Sequence, residues 1–129
     1  MIHFSFTKIV VTDLETCGAF YVEVFGLREQ YRLRSEIGGR AIDEVLFEAT
    51  APGAGSFILL RFVDPADVAS AGVIPGFVTD EIDALFARAV AAGGSVVQPI
   101  ADAPAHGVRV GFLADPEGRL IEVVQRLEA

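Results

Sequence analysis

The sequence predicts an α+β fold made of two tandem βαβββ modules, which form a curved mixed sheet around a cleft. The main observation is an internal repeat. The segment Val10-Val11-Thr12-Asp13 opens one helical pattern, and Phe77-Val78-Thr79-Asp80 opens another 67 residues later. Gly26 and Gly93 follow the two helical patterns at the same 67-residue offset. Two helix starts and two helix stops in register indicate a duplicated supersecondary unit.

The helix of each repeat is predicted from its cap and its apolar stripe. Asp13 and Asp80 are placed to accept hydrogen bonds from free N–H groups of the first turn, and glycine at the far end favours the left-handed conformation that closes a helix. One face of each helix is apolar at helical spacing. The stripe of the first helix is Leu14, Cys17, Tyr21 and Val24, and that of the second is Ile82, Leu85, Phe86, Ala89 and Val90.

Three short β-like runs follow each helix, separated by turn-forming residues. They are Gln30 to Ser35, Ala41 to Ala49 and Ser56 to Val63, then Ser95 to Pro99, Val108 to Ala114 and Leu120 to Gln125. We therefore predict one domain over 1–129, with halves at about 1–63 and 74–129 and a linker over 64–75 that overlaps the second half. A sheet with a helix on one face leaves its other face uncovered, so two halves or two chains can bury these faces against each other.

The composition of the chain excludes several classes of function. Hydrophobic residues make up 52% of the 129 residues, which favours additional apolar surface in a homodimer interface or a ligand cavity. The net charge of −8 with scattered basic residues argues against nucleic acid as a partner. No apolar run approaches the length of a membrane span, and the first residues do not resemble a secretory leader, so we expect a cytoplasmic protein without a membrane partner. Cys17 is the only cysteine, which excludes an intrachain disulfide and a cysteine zinc site, and we expect it in the core.

Three segments resemble the vicinal-oxygen-chelate superfamily, which includes glyoxalase I, extradiol dioxygenases and bleomycin-resistance proteins. They are Val10 to Leu27, Val78 to Pro99 and Gly111 to Gln125, the last with the signature Asp115-Pro116-Glu117-Gly118. The resemblance covers essentially the whole chain and implies the fold already predicted. It leaves the function open, because this scaffold hosts lyases, isomerases, dioxygenases and non-catalytic binders.

In metal-dependent members of that superfamily, four inward positions on four strands supply the metal ligands. The resemblance maps them onto Phe6, Leu59, Ile74 and Glu122. Three of the four are apolar, and a divalent ion needs oxygen or imidazole ligands. A shift by one residue does not restore the set, since Ile58 and Leu60 flank the second position. The sequence therefore predicts no metal ligands and no cofactor.

Further candidate site residues follow from the same resemblance. Glu122 is either a lone carboxylate in an apolar cleft, whose pKa desolvation would raise, or a hydrogen-bonded structural residue. His106, in the loop from Pro104 to Gly107, is a candidate ligand contact or a solvated loop residue, and His3 is predicted at the surface. Phenylalanines fit a packed core, and some of them are also candidates to wall a cavity for a flat ligand. The ligand-binding set predicted from the sequence is Phe6, Phe47, Leu59, Ile74, His106, Phe112 and Glu122.

The leading functional hypothesis is metal-independent binding or sequestration of a small hydrophobic or planar molecule by a homodimer. It is closest in character to the bleomycin-resistance branch and to antibiotic resistance, and it favours a binding protein over an enzyme. One alternative is a metal-dependent lyase, isomerase or oxygenase of the glyoxalase or dioxygenase type. A further alternative is a metal-free isomerase or cyclase in which Glu122 transfers protons.

Overall fold

Each half of the chain folds as one βαβββ module, which confirms the predicted fold class. The computed structural model describes residues 4–37, 39–64 and 73–128. The first module contains β1 (Phe6–Val10), α1 (Leu14–Phe25), β2 (Glu29–Ile37), β3 (Arg40–Phe47) and β4 (Ser56–Phe62). The second contains β5 (Gly76–Val78), α2 (Ile82–Ala91), β6 (Ser95–Ala103), a 3₁₀ turn (Pro104–His106), β7 (Val108–Ala114) and β8 (Leu120–Arg126).

The two modules have the same strand topology. The described strands form two four-stranded sheets with the orders β1-β4-β3-β2 and β5-β8-β7-β6. In each sheet the first strand runs parallel to the last strand of its module, and the other pairs are antiparallel. The predicted duplication is therefore present in the strand pairing. Most of the predicted linker, residues 65–72, lies outside the described residues, as does His3.

The predicted ends of the first helix are confirmed. Asp13 is the N-cap of α1, and its Oδ1 accepts a hydrogen bond from the backbone N–H of Thr16 at 3.0 Å. Gly26 caps the C-terminus with φ of 69°. Gly93, with φ of 99°, follows the C-cap of α2. Both glycines take the left-handed conformation that ends a helix and that other residues adopt at a cost.

The predicted cap of the second helix, Asp80, is wrong. The N-cap of α2 is Glu81, whose side chain makes no capping hydrogen bond. The first amides of α2 are bound by other groups instead: Thr79 Oγ1 accepts from the N–H of Glu81 at 3.1 Å, and Gln125 Oε1 accepts from the N–H of Ile82 at 2.9 Å. A glutamine from β8 thus replaces the local carboxylate, which the sequence pattern does not reveal.

The second module also differs from the prediction in β6. We expected this run to end at Pro99, but the strand continues to Ala103. Its pairing with β7 shifts register between Gln98 and Ala101. Proline is tolerated in a strand where it is not required to donate to the ladder, as in an irregular edge strand. β6 is an edge of its sheet, so the irregularity lets the strand pass through the proline.

Helix α1 packs against both modules. Buried residues of α1, α2 and both sheets form one hydrophobic cluster, in which Tyr21 contacts Phe57 of β4 with ring centroids 4.9 Å apart. Phe20 of α1 reaches the far edge of the second sheet, where a Cβ added to Gly94 would lie 2.7 Å from its ring. Arg88 of α2 donates to the carbonyl of Val24 at 2.9 Å. The two modules are therefore joined by a shared core that lies on the helix side of both sheets.

The loop between β7 and β8 holds the N-terminus of α1. The carboxylate of Glu117 accepts hydrogen bonds from the N–H groups of Thr12 and Asp13, at 2.9 and 2.8 Å, and lies 3.2 Å from the Cys17 thiol. Asp115 is buried and accepts from the hydroxyl of Tyr21 at 3.0 Å. A carboxylate at a helix N-terminus satisfies amides that lack partners within the helix. The signature Asp-Pro-Glu-Gly thus connects the second module to the first.

Cys17 is buried in this region, as predicted. Its side chain is fully inaccessible, and burial, together with the neighbouring Glu117 carboxylate, raises the pKa of the thiol far above its usual range. Such a thiol is a small core residue and not a nucleophile. No helix among the described residues is long and apolar enough to cross a membrane.

Candidate functional site

Strand register assigns every sheet residue to one of two faces. Because neighbours in register share a face, Ile9, Leu59 and Val45 lie together on the helix side and belong to the shared core. The opposite face of each sheet is called here its outer face. The first outer face contains Phe6, Lys8, Val10, Leu33, Ile42, Glu44, Leu46, Ile58, Leu60 and Phe62, and the second contains Gly76, Val78, Gln98, Val108, Val110, Phe112, Glu122 and Val124.

Two predicted site residues lie in the core. Leu59 is fully buried beside Ile9 and Val45, on the helix side of β4. Phe47 is also buried on that side, with its ring 6.1 Å from that of Phe57. Neither residue reaches an outer face, so neither shares a surface with Phe6 or Glu122. The error in the prediction is one of register, since a shift of one residue moves a strand side chain to the other face.

Glu122 and Phe112 are direct neighbours on the second outer face. They are paired across β7 and β8, and both are half-buried. Gly76 pairs with Glu122 on the side away from Phe112. A Cβ added to Gly76 would meet no other atom within 4 Å, so the space beside Glu122 is open there. Gln98 follows Phe112 on the next strand. The row therefore presents an aromatic ring between a carboxylate and an amide, with a gap beside the carboxylate.

The repeat defines which residue of the first sheet corresponds to Glu122. Glu122 pairs with Phe112, and the matching pair in the first module is Ile58 with Leu46. By the same parallel register, Phe6 of β1 corresponds to Ile74, which precedes β5 and is 54% exposed. Ile74 is thus not part of the strand on which we expected it. The corrected set of four positions is Phe6, Ile58, Ile74 and Glu122.

This set does not fit a divalent metal ion. It offers one carboxylate and three hydrocarbon side chains, whereas such ions require several oxygen, nitrogen or sulfur donors. Within the described ranges, no group of three or more His, Cys, Asp and Glu residues is close enough to hold a metal. No step of the chemistry is therefore derived through a metal at these positions.

His106 lies apart from this row. It is exposed, on the 3₁₀ turn Pro104–His106 that connects β6 to β7. Phe112 and Glu122 are near the middle of β7 and β8, and the turn precedes Val108 at the start of β7. The structure places His106 at the end of the second sheet and not on its outer face.

The first outer face contains an ion pair that the sequence analysis did not single out. Lys8 of β1 donates to Glu44 of β3, and Glu44 is only 4% exposed. The neighbours of Glu44 on that face are Leu33 and Leu60 across the strands, and Ile42 and Leu46 along its own strand. The sequence does contain a sign of a buried charge here, because Glu44 interrupts an alternation of apolar residues in a run already predicted as a strand.

Two of the cavities lined by described residues lie close to the first sheet, one of them beside Leu33 and Glu44 and the other beside Ile74. One, of about 690 Å³, is lined by charged residues around the N-terminus of α1, including Arg32, Arg61 and Asp43. The other, of about 680 Å³, lies where β1 and β4 approach β5, and is lined by Thr7, Phe57, Phe77 and their neighbours. Neither cavity is lined by Phe6, Phe112 or Glu122. The residues predicted for a cleft thus do not converge in either of them.

The two outer faces are turned away from each other within one chain. Helix α1 contacts its own sheet through Tyr21 and Phe57, and it contacts the second sheet through Phe20 and Gly94. Since the helix sides of both sheets are directed at this shared core, both outer faces are directed away from it. Phe6 and Glu122 therefore do not line a common surface within one chain.

Comparison with known proteins identifies the family. Residues 3–123 match the model of the glyoxalase/bleomycin resistance protein/dioxygenase superfamily. The match covers nearly the whole chain, and the two βαβββ modules have the fold expected from the resemblance. The protein belongs to this superfamily.

Solved structures agree with this assignment. A glyoxalase family protein from Bacillus cereus superposes with a TM-score of 0.82 at 20% identity, covering 99% of this chain and 96% of that chain. TioX from Micromonospora sp. ML1 is 28% identical with a TM-score of 0.62, covering 97% and 99% of the two chains. A glyoxalase-related enzyme from Fulvimarina pelagi gives 22% identity and a TM-score of 0.67 over 98% and 89%. No curated protein matches the chain.

Proposed function

We propose that this protein is a homodimeric, metal-independent binder of a small, largely apolar and planar molecule. The ligand lies between the first outer face of one copy and the second outer face of the other. The observation that carries the proposal is the donor set at the four family positions: Phe6, Ile58 and Ile74 are hydrocarbon, and Glu122 is the single carboxylate. Such a surface binds flat apolar groups by desolvation and stacking, and it offers little to a metal ion.

The arrangement of the sheets supports the involvement of a second copy. In a twofold dimer each copy contributes both of its outer faces, so two equivalent clefts form. Exposed or half-buried apolar residues on these faces, such as Phe6, Val78 and Phe112, gain burial in the process. Removing that surface from water stabilises the dimer by about 25 cal/mol per Å².

Binding is favoured over catalysis by the same residues. Catalysis of proton transfer commonly needs an acid and a base within hydrogen-bonding distance of the reacting atoms. Glu122 is one such group, and His106 does not lie beside it in the same chain. A role in sequestration, as in antibiotic resistance, requires only affinity. We place the protein in the cytoplasm, as we expected from the sequence.

The proposal is tested with Nile red, a neutral planar dye whose fluorescence increases in apolar surroundings. Wild type should bind the dye with saturation, and Phe112→Ala should weaken binding by about tenfold, because burial of an aromatic side chain contributes on the order of 1.5–3 kcal/mol. Val90→Ala, at an exposed apolar residue of α2 that lies on neither outer face, is the control and should bind as wild type does. Equal affinity in Phe112→Ala would exclude the second outer face as the binding surface.

Metal analysis separates the leading proposal from the glyoxalase-type alternative. Untagged protein after dialysis should contain no stoichiometric divalent metal, because only one of the four positions carries a donor. About one ion per chain that survives dialysis would contradict the assignment of the four positions and would favour a metal-dependent enzyme.

A further inference from the structure

The Lys8–Glu44 pair lies on the first outer face among apolar side chains. A carboxylate that is 4% exposed, with leucine and isoleucine as its neighbours on the face, is costly to desolvate. The Lys8 ammonium compensates that charge. Ion pairs inside apolar surfaces are frequently neutral or unfavourable for stability compared with hydrocarbon residues of similar volume. Stability alone is therefore a weak explanation for this pair.

Lys8 has hydrogen-bonding capacity beyond Glu44. Its ammonium carries three N–H donors, and one contact to Glu44 Oε1 is formed. The side chain is 33% exposed and lies on the outer face. Glu44, in contrast, is only 4% exposed, so it offers a ligand less surface than Lys8 does. The part of the pair that a ligand meets is thus the cation.

An aromatic surface lies directly beside this cation. Phe6 precedes Lys8 by two residues on β1 and therefore shares its face. Phe6 is 51% exposed, and the Lys8 ammonium lies over its ring, 5.9 Å from the ring centroid. A flat ligand that packs against the remaining exposed surface of Phe6 therefore lies next to Lys8.

We infer that Lys8, held by Glu44, is a specificity-determining residue that selects planar ligands bearing an anionic or strongly accepting oxygen, such as an aromatic carboxylate. This inference rests on the proposed function and names the ligand class of that same cleft. The net charge of −8 would by itself favour a cationic ligand through long-range attraction. The Lys8 ammonium acts on a ligand at contact distance, whereas exposed charges elsewhere on the chain are screened beyond about 8 Å at physiological ionic strength.

Two probes that share one ring system test this inference: 2-naphthoate and 2-naphthylmethylammonium. Calorimetric titration at physiological ionic strength should show that wild type binds the carboxylate at least about tenfold more tightly than the amine, as expected for a hydrogen bond between charged groups. Lys8→Met should remove this preference by weakening naphthoate binding about tenfold or more. Glu44→Gln, which leaves the Lys8 charge uncompensated, should strengthen naphthoate binding.

Arg28→Met is the matched control, because it removes one positive charge from an exposed residue whose partner is Glu48. It should leave both naphthyl affinities unchanged. Unaltered naphthoate binding in a folded Lys8→Met variant would overturn the inference and leave the pair with a structural role. Different results contradict the proposed function and the present inference. Nile red binding that does not depend on Phe112 would contradict the proposed function. Nile red binding as expected, together with no preference of wild type for naphthoate, would contradict only the present inference.

Discussion

At the scale of single residues, Glu122 decides between binding and catalysis. It lies between Phe112 and the open space at Gly76, so a ligand on the second outer face meets this carboxylate directly. In a binder, the carboxylate accepts a hydrogen bond from the ligand. In a metal-free isomerase or cyclase, it removes a proton. The two roles predict different kinetic consequences for the same substitution.

Glu122→Gln should change affinity and leave the fold intact. We expect a loss of about 1–3 kcal/mol in binding free energy for a ligand with a donor group, since a hydrogen bond to a charged acceptor is lost. The measurement is a titration with 2-naphthylmethanol, whose neutral hydroxyl can donate to the carboxylate, compared with Nile red, which has no hydrogen-bond donor. If the variant instead binds normally but turns over an identified substrate about 10²–10⁴-fold more slowly, Glu122 is a general base.

Glu117 illustrates how a carboxylate can serve structure alone. Burial raises the pKa of Glu117, whereas hydrogen bonds from the amides of Thr12 and Asp13 lower it. The lowering is the larger effect in sum, so the pKa of Glu117 lies below its usual range. A folded-state pKa below the unfolded value contributes stability above the unfolded pKa, and this contribution is lost as pH falls through the folded pKa. The link between the β7–β8 loop and α1 therefore weakens in acid.

Glu117→Gln should destabilise the protein by about 1–3 kcal/mol at neutral pH, because two helix amides lose a charged acceptor. Urea unfolding followed by circular dichroism measures this loss. Below the folded-state pKa of Glu117, wild type and variant should approach equal stability. Glu23→Gln, at an exposed position on α1, is the control and should unfold as wild type does at every pH. A constant difference between wild type and Glu117→Gln down to pH 2 would contradict the proposed role of the charge.

At the scale of the elements, the docking of α1 on the second sheet depends on close approach at Gly94. A Cβ there would lie 2.7 Å from the ring of Phe20 and 2.8 Å from the carbonyl oxygen of Ala114. The ring is buried and the carbonyl is part of the backbone, so neither can yield easily. This contact explains why a glycine follows the helix-ending Gly93.

Gly94→Ala should destabilise the protein by about 1–3 kcal/mol through overpacking. Gly18→Ala is a matched control within α1, where a Cβ would meet nothing within 4 Å. That control should be neutral or stabilising by up to about 1 kcal/mol, because alanine favours a helix more than glycine does. Thermal unfolding of both variants measures the contrast. Equal melting temperatures for Gly94→Ala and wild type would show that α1 can shift without cost.

The elements were largely predictable because local patterns determine them. The apolar stripe and the cap at Asp13 define α1, and alternation defines β3 and β7, where the predicted runs agree closely with the strands. The site was less predictable. Leu59 was assigned to the cleft because sequence spacing cannot fix register to one residue, and register decides the face of a strand. The ion pair of Glu44 was not predicted, because its partner, Lys8, is 36 residues away in the sequence.

At the scale of the whole molecule, the shared core explains why the two outer faces of one chain do not meet. The contacts of Phe20 and Tyr21 with both modules direct the helix sides of the two sheets inwards. Exposed apolar side chains, such as Phe6 and Val78, remain on the outer faces, and exposed apolar surface favours association. We expect light scattering to give a dimer at micromolar concentration, whereas a 13.7 kDa monomer would contradict a cleft shared between copies.

Mixing two inactive variants tests whether each cleft is formed by two copies. Phe6→Asp damages the first outer face and Phe112→Asp damages the second, so each homodimer should bind Nile red poorly. In a mixed dimer, one cleft combines both damaged faces and the other combines two intact faces. After subunit exchange at equal concentrations, random pairing makes about half of the dimers mixed, so about one quarter of all clefts should bind as wild type does. Clefts formed within one chain predict no recovery at all, and circular dichroism of each variant before mixing shows whether its loss of binding is due to the cleft or to unfolding.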